Sequence, residues 1–432
     1  MDRLLIDKML EWKNSSRRKP LIIWGARQVG KTWLMKEFGR KYFDNTIYIS
    51  FYNNRRISQI FEKDYNTKRI IESIEIELKA TITPQKTLVV FDEVQNSLKV
   101  VESLKYFFEE SPQYCIVVAG SLLGTAIHEG ISFPVGKVDE LHLYPLCFTE
   151  FLRAMNESKL ADFVIANDYD RINDFGEKYA ELLKDYIFTG GMPEVVEDFR
   201  INRDYSQARQ LQLSILNQYE GDFGKHISPT VLPRIRLVWN SLPMQLAKEN
   251  RKFFFGQVKS GGRMKDFEIA IQWLVDCGLV YKVHRVSKPV MPLKPYADFS
   301  AFKLYLLDIG LLGAMCDLDF SVISRGNDVF VEFKGALAEQ YVLQQLVSSV
   351  HCNPYYYASE KSAFEVDFVI QQKDGIVPIE VKSEENLKAK SLRFYCEKFQ
   401  PSTAIRTSMS NYRKQDWLTN VPLWGVECIG LL

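Results

Sequence analysis

Short apolar runs recur through the first 150 positions. "LIIW" (21–24), "TLVVF" (87–91) and "CIVVA" (115–119) are unbroken, "TIYISF" (46–51) alternates, and "KVDELHLYPL" (137–146) closes the series. A strand buried on both faces reads as a continuous apolar run. Five such strands alternating with helices predict a parallel sheet with right-handed crossovers. Leu4, Leu5, Met9, Leu10 and Trp12 have helical spacing over residues 3–13. Residues 150–220 read as mainly helical, interrupted at "YIFTGGMPEVV" by paired glycines and a proline. From 226 the pattern predicts a helix (229–248), a short strand "KFFFGQV", a helix (264–277) and a hairpin of "LVYKVHRVS" and "FKLYLLD". The last hundred residues predict a helix "KGALAEQYVLQQL", a second hairpin "FEVDFVIQQKDGIVPIEVKS", and a tail of strands and a turn.

At 432 residues the chain is long enough for about three domains. Its 46% hydrophobic and 25% charged residues are those of a globular protein. A net charge of +1 removes the simplest argument for nucleic-acid binding, so DNA would have to meet a local patch. The seven scattered cysteines form no C-x-x-C pair. They read as reduced thiols of a cytoplasmic protein, with neither a zinc site nor a disulfide framework. The first twenty residues lack the marks of a signal peptide, and no apolar run reaches ~18 residues, so no membrane association is expected.

The chemistry begins where the first strand stops. "GARQVGKT" fits G-x-x-x-x-G-K-[ST], with Gly25, Gly30, Lys31 and Thr32 at the fixed positions and Ala26, Arg27, Gln28 and Val29 between them. The glycines let successive backbone N–H groups turn toward one anion, and the helix opening at Lys31 adds its dipole. Lys31 would reach the β- and γ-phosphates, and Thr32 would ligate Mg²⁺. The competing reading is a glycine-bearing turn with a chance lysine. "TLVVFDEVQ" (87–95) weighs against that, because it ends a buried strand on Asp92 and Glu93. Asp92 fits the Mg²⁺-holding residue and Glu93 the base that orients the attacking water. Ser121, after the next strand, is placed to sense the γ-phosphate. ATP is the expected nucleotide, since nothing resembles a guanine-reading motif.

Together with "VAGS", "FPVGKVDELHLYPLCFTEFL" and "TGGMPEVV", these motifs resemble a prokaryotic family of AAA-type P-loop ATPases, found as many paralogues in archaea and gut bacteria. The resemblance covers nearly the whole chain. It implies an ATPase followed by a lid containing "TGGMPEVV", a winged helix and a nuclease-like domain. In the family a glycine-arginine pair often precedes the fifth strand, where the arginine acts on a neighbour's nucleotide. This sequence has Gly136-Lys137. Lysine lacks the planar fork of arginine, and a surface lysine capping a strand is the competing reading.

Winged helices bind DNA through their second helix. Here that helix buries Phe267, Ala270, Ile271, Leu274 and Val275 and turns Glu268, Gln272 and Asp276 outward, an acidic face that repels phosphate. Basic residues sit at its edges: Lys259, Arg263 and Lys265 before it, and Arg285, Lys288 and Lys294 in the wing. DNA contact through loop and wing competes with protein–protein packing.

Asp374-Gly375 is a strong hairpin turn. With those residues as the loop, Asp367 faces Lys382 and Val369 faces Glu380, and Asp367, Glu380 and Lys382 share a face within ~5–8 Å. Two carboxylates and a lysine at D-x(12)-E-x-K spacing resemble the PD-(D/E)XK nuclease core, with valine in place of the usual proline before the aspartate. The resemblance implies Mg²⁺ on Asp367 and Glu380, with Glu339 as an additional acid and Lys382 assisting the water. The competing reading is a cross-strand ion pair.

The expected fold is α/β: a P-loop NTPase parallel sheet of about five strands, then helical lid, winged helix and PD-(D/E)XK-like α/β domain. The expected boundaries are 1–150, 151–225, 226–325 and 326–432. The expected function is Mg·ATP hydrolysis coupled to a nuclease-like, DNA-associated module. The alternatives are an ATP-gated metal-dependent DNA endonuclease and a non-hydrolysing switch that recruits a protein partner or a second copy of itself.

Overall fold

The computed structural model describes residues 1–432 except 121–122, 127–131, 225–226, 248–251, 322–330, 360–363, 384–388 and 432. The chain divides into two compact units, one of Arg3–Tyr144 with Asp276–Gly278, the other of Pro145–Val275 and Leu279–Leu432 with the first two residues. Among the described residues no helix is long and apolar enough to cross a membrane.

In the first unit, helix α1 (Leu5–Asn14) precedes strand β1 (Leu21–Trp24), helix α2 (Lys31–Tyr42) and β2 (Asn45–Ser50). Helices α3 (Arg55–Lys63) and α4 (Thr67–Leu78) lead to β3 (Thr87–Asp92), helix α5 (Leu98–Glu110), β4 (Cys115–Ala119) and β5 (Asp139–His142). The strands form one sheet in the order β2-β3-β4-β1-β5, every pair parallel. Odd positions Ile47, Ile49, Val89 and Phe91, with Ile116 and Val118 of β4, pack against α3, α4 and α5. Phe51, Phe61 and Phe91 meet edge to face with ring centroids 5.5–5.8 Å apart, each pair adding about 0.5–1.5 kcal/mol beyond its buried area. Even positions fall on the opposite face, so the period of the strands places Tyr48, Ser50 and Asp92 together.

In the second unit, helices from Phe148 to Leu246 precede an eight-stranded mixed sheet. Strands β6 (Val280–Val286) and β7 (Ala297–Leu306) form the first hairpin, and β6 joins β8 (Tyr355–Ala358) at the Arg285–Tyr356 pair. The sheet continues through β9 (Glu365–Gln372), β10 (Gly375–Val381), β11 (Ile405–Ser408) and β13 (Thr419–Pro422) to the two-residue edge strand β12 (Arg413–Lys414). "KFFFGQV" is not a strand. Gln245 takes both backbone groups of Phe254, accepting from its N and donating to its O at 2.9 Å each, and the segment turns into a short helix (Phe255–Val258).

The helix Val331–Ser348 carries a buried polar stripe. Gln340 holds the N and O of Leu306, and Gln344 accepts from Ile309 N and donates to Asp308 Oδ2. Asp308, fully buried, also accepts from Gly191 N at 2.6 Å, and burial raises its pKa. "TGG" is therefore a packing junction within this unit. A Cβ on Gly190 would lie 2.1 Å from Asp308 Oδ1, so the motif needs a residue without one.

The second hairpin turns at Lys373-Asp374 rather than Asp374-Gly375. Gly375, at φ +155°, opens the return strand opposite Gln372. Phe368 consequently faces Ile379 and Val369 faces Pro378, an offset of two residues from the expected register. Because strand side chains alternate with a period of two, an even slip keeps Asp367, Glu380 and Lys382 on one face.

Candidate functional site

The phosphate loop opens as β1 ends. Gly25 has φ +151°, and a Cβ there would stand 2.3 Å from the carbonyl oxygen of Leu143, so only glycine lets the loop pass beside β5's exit. Gln28 (φ +67°) and Gly30 (φ +94°) complete the curl, and Gly30 is the N-cap of α2. Lys31 is buried at 7% exposure and donates to the carbonyls of Gly25 and Ala26 at 2.7 Å each. The Val29 carbonyl accepts from Arg3 Nη1 at 2.9 Å, while Arg3 Nη2 donates to Tyr144 O at 2.6 Å. One buried guanidinium thus ties the loop to the end of β5. The sequence reading missed Arg3, since nothing in its spacing relates it to the loop.

Asp92 is buried at the end of β3. Its Oδ2 accepts from Thr32 Oγ1 at 2.6 Å and from Tyr48 OH at 2.9 Å. Tyr48 also went unnoticed, although strand parity with Ser50, the register partner of Asp92, points to it. Lys36 Nζ lies 3.9 Å from the Tyr48 ring centroid, and burial followed by the Asp92 charge raises the phenol's pKa. Glu93 adopts φ +57°, an uncommon backbone for a residue with a side chain, and its N donates to Asp92 Oδ1 at 2.9 Å. Gln95 Nε2 holds Glu93 Oε2 at 2.5 Å. Gly120 leaves room for Gln95, because a Cβ there would be 2.5 Å from Gln95 Oε1. Ser121 lies outside the described residues. Lys137 pairs with Glu109 of its own chain at 2.9 Å.

Thr32, Asp92 and the loop fit Mg²⁺ and a triphosphate. Mg²⁺ takes oxygen ligands and keeps most of its waters, and a hydroxyl and a carboxylate converge here beside a buried ammonium. Burial pulls the Lys31 pKa down to about 8, against the raising influence of Glu93 and Asp92 and with Arg27 lowering it slightly. Phosphate oxygens around the ammonium would restore that pKa upward. Binding therefore takes up a proton once the pH exceeds about 8. Nucleotide affinity should be flat at lower pH and fall up to ~tenfold per unit above it. Titration of a fluorescent ATP analogue from pH 7 to 9.5 checks this; a flat profile throughout contradicts it.

In the second unit, β9 and β10 bring Asp367, Glu380 and Lys382 to one face. Asp367 Oδ2 accepts from Val381 N at 2.8 Å, Glu380 Oε1 pairs with Lys382 Nζ at 2.6 Å, and Glu380 Oε2 accepts from Leu392 N at 2.9 Å. Burial raises the Glu380 pKa, with Lys382 opposing. Arg406 of β11 is Glu380's register partner. Glu339, buried at 5%, accepts from Tyr305 OH at 3.0 Å and lies 3.8 Å from Lys303 Nζ. Asp367 and Glu380 thus lie on adjoining strands, with Lys382 next after β10, while Glu339 is engaged by Tyr305 and Lys303. Among the described residues no group of three or more Asp, Glu, His or Cys is arranged to hold a metal ion.

Residues 17–152 match a family model described as an AAA domain, 180–321 a domain of unknown function (DUF8612), and 334–426 another (DUF4143). The first unit carries an AAA-type P-loop ATPase domain, and the C-terminal domains are of unknown function. No curated protein matches. Among solved structures, a Walker-type ATPase of Pyrococcus abyssi is 13% identical with a TM-score of 0.45, covering 73% of this chain and 95% of that one. A signal-transduction (STAND) ATPase of Pyrococcus horikoshii with a tetratricopeptide-repeat sensor is 12% identical with a TM-score of 0.29, covering 81% and 45%. The Aeropyrum pernix ORC1 protein in complex with DNA is 12% identical with a TM-score of 0.28, covering 74% and 91%.

Proposed function

We propose that the chain binds and hydrolyses Mg·ATP at the Gly25–Thr32 loop and passes the state of that site to its C-terminal unit. The observation that carries this reading is the convergence on Asp92: Thr32 Oγ1 at 2.6 Å on one side and Glu93 next in the chain on the other. Backbone N–H groups of residues 25–31 receive the phosphates, and Lys31 neutralises charge at the β,γ-bridge. Thr32 and Asp92 would hold Mg²⁺, which would balance charge on the phosphate oxygens. Glu93 takes a proton from water as its oxygen attacks the γ-phosphorus; the bond to the β,γ-bridging oxygen breaks, releasing ADP and phosphate. Gln95 fixes the Glu93 carboxylate, and Ser121 is assigned to the γ-phosphate from its sequence position alone.

The helices of 151–225 serve as a lid and 226–325 as a winged helix in this reading. Lys259, Arg263, Lys265, Lys288 and Lys294 offer DNA a basic rim beside the acidic outward face of the helix Met264–Asp276. The nuclease-like sheet is assigned to binding in this reading, with Glu339 engaged by Tyr305 and Lys303. Phosphate release from ATP tests the reading. Turnover should require Mg²⁺ and stop with EDTA. ATP retained without turnover would instead favour the non-hydrolysing switch.

A further inference from the structure

The acid face of the mixed sheet contains a charge that the nuclease resemblance does not supply. Lys303, on β7 of the first hairpin, is fully buried, with a side-chain exposure of 0%. Its ammonium contacts Glu365 Oε1, lies 3.8 Å from Glu339 Oε2 and sits 4.9 Å from the centroid of the Tyr356 ring. Tyr305, two residues on, donates to the same oxygen of Glu339. Glu365 lies two residues before Asp367 on β9, where the pairing with β8 shifts register between Val366 and Val369. Lys382 pairs with Glu380 at 2.6 Å. The acids Glu339, Glu365 and Glu380 thus each have an ammonium beside them, Lys303 for the first two and Lys382 for the third.

We propose that Lys303 is the resident counter-ion of this face: the first hairpin delivers an ammonium that Glu339 and Glu365 hold in place of a divalent cation, which leaves the nuclease-like site metal-free. A dication beside these carboxylates would meet the ammonium at close range in a low-dielectric setting, where like charges repel strongly. The ammonium has nowhere to retreat, because it is sealed by two carboxylates and an aromatic ring, and a buried charge is stable only when so paired. Lys303 is a positioning residue: it sets what Glu339 can bind and has no chemical step of its own. Removing it takes the ammonium from the buried Glu339 and the partly exposed Glu365, and the pair would then recruit a cation.

The test is Mn²⁺ binding to the full chain without nucleotide, followed by electron paramagnetic resonance. It is independent of ATP turnover, so its failure and the failure of the ATPase reading are separate results. In wild type, Glu339→Gln should leave Mn²⁺ binding unchanged. Lys303→Met should gain a site at least tenfold tighter than any in wild type, and Lys303→Met with Glu339→Gln should lose it. A folded Lys303→Met chain without the gain overturns the proposal. So does wild-type Mn²⁺ affinity that Glu339→Gln weakens tenfold. If Lys303→Met does not fold, the comparison of wild type with Glu339→Gln decides alone. Mg²⁺-dependent cleavage of DNA by wild type, lost in Asp367→Ala, would also overturn it.

Discussion

Replacing Glu93 with glutamine is expected to lower kcat for ATP roughly 10²–10⁴-fold, the usual range for losing a general base, while ATP binding stays near the wild-type level. The asymmetry follows from position. Glu93 donates its N to Asp92 and its carboxylate accepts from Gln95, and it lies outside the Gly25–Thr32 segment that receives the phosphates. Glutamine has nearly the same shape and keeps a carbonyl for Gln95 Nε2, but it does not accept a proton from water. The loss should therefore appear in kcat with little change in KM, which for slow chemistry approaches the dissociation constant. Single-turnover phosphate release beside equilibrium nucleotide binding reads both quantities. Equal turnover in wild type and Glu93→Gln would remove Glu93 from the mechanism.

Lys31→Ala should act on the other quantity. The ammonium is buried and confined by the Gly25 and Ala26 carbonyls, so it is already positioned when phosphate oxygens arrive. Charged hydrogen bonds contribute about 1.5–3 kcal/mol each. Losing two of them corresponds to an affinity at least ~100-fold weaker, since 1.4 kcal/mol is about tenfold. The alanine variant should fold, because removing a buried cation also removes the cost of burying it. Nucleotide binding measured alongside a thermal melt separates the two effects. Retained affinity would show that the loop amides suffice and that Lys31 is a structural lysine.

Much of the first unit was readable because its signals are local. An apolar run, a glycine loop and a helix N-terminus occupy consecutive positions, and the structure places β1 and α2 at the expected residues. The strand face of Tyr48 was readable in principle from period and register, but its bond to Asp92 spans two strands and needs the sheet order as well. The positive φ of Glu93 had no sequence signal, since glycine and asparagine, not glutamate, mark that conformation. In the second hairpin the turn was misplaced, yet an error of two residues leaves parity intact, so the shared face of Asp367, Glu380 and Lys382 survived. Glu365 opens the same strand, but its partner Lys303 was not foreseeable. That lysine is 62 positions away, on a hairpin assigned to a different domain, and only the tertiary sheet brings the two charges together. Arg3 was missed for the same reason, because it reaches Val29 and Tyr144 through space alone.

Calorimetric titration of Mg·ATP into the full chain tests most directly whether the loop around Lys31 is a triphosphate cup. One saturable site per chain is expected in wild type, with its loss in Lys31→Ala. Absence of saturable binding in folded wild type, by heat and by a fluorescent analogue alike, would contradict it.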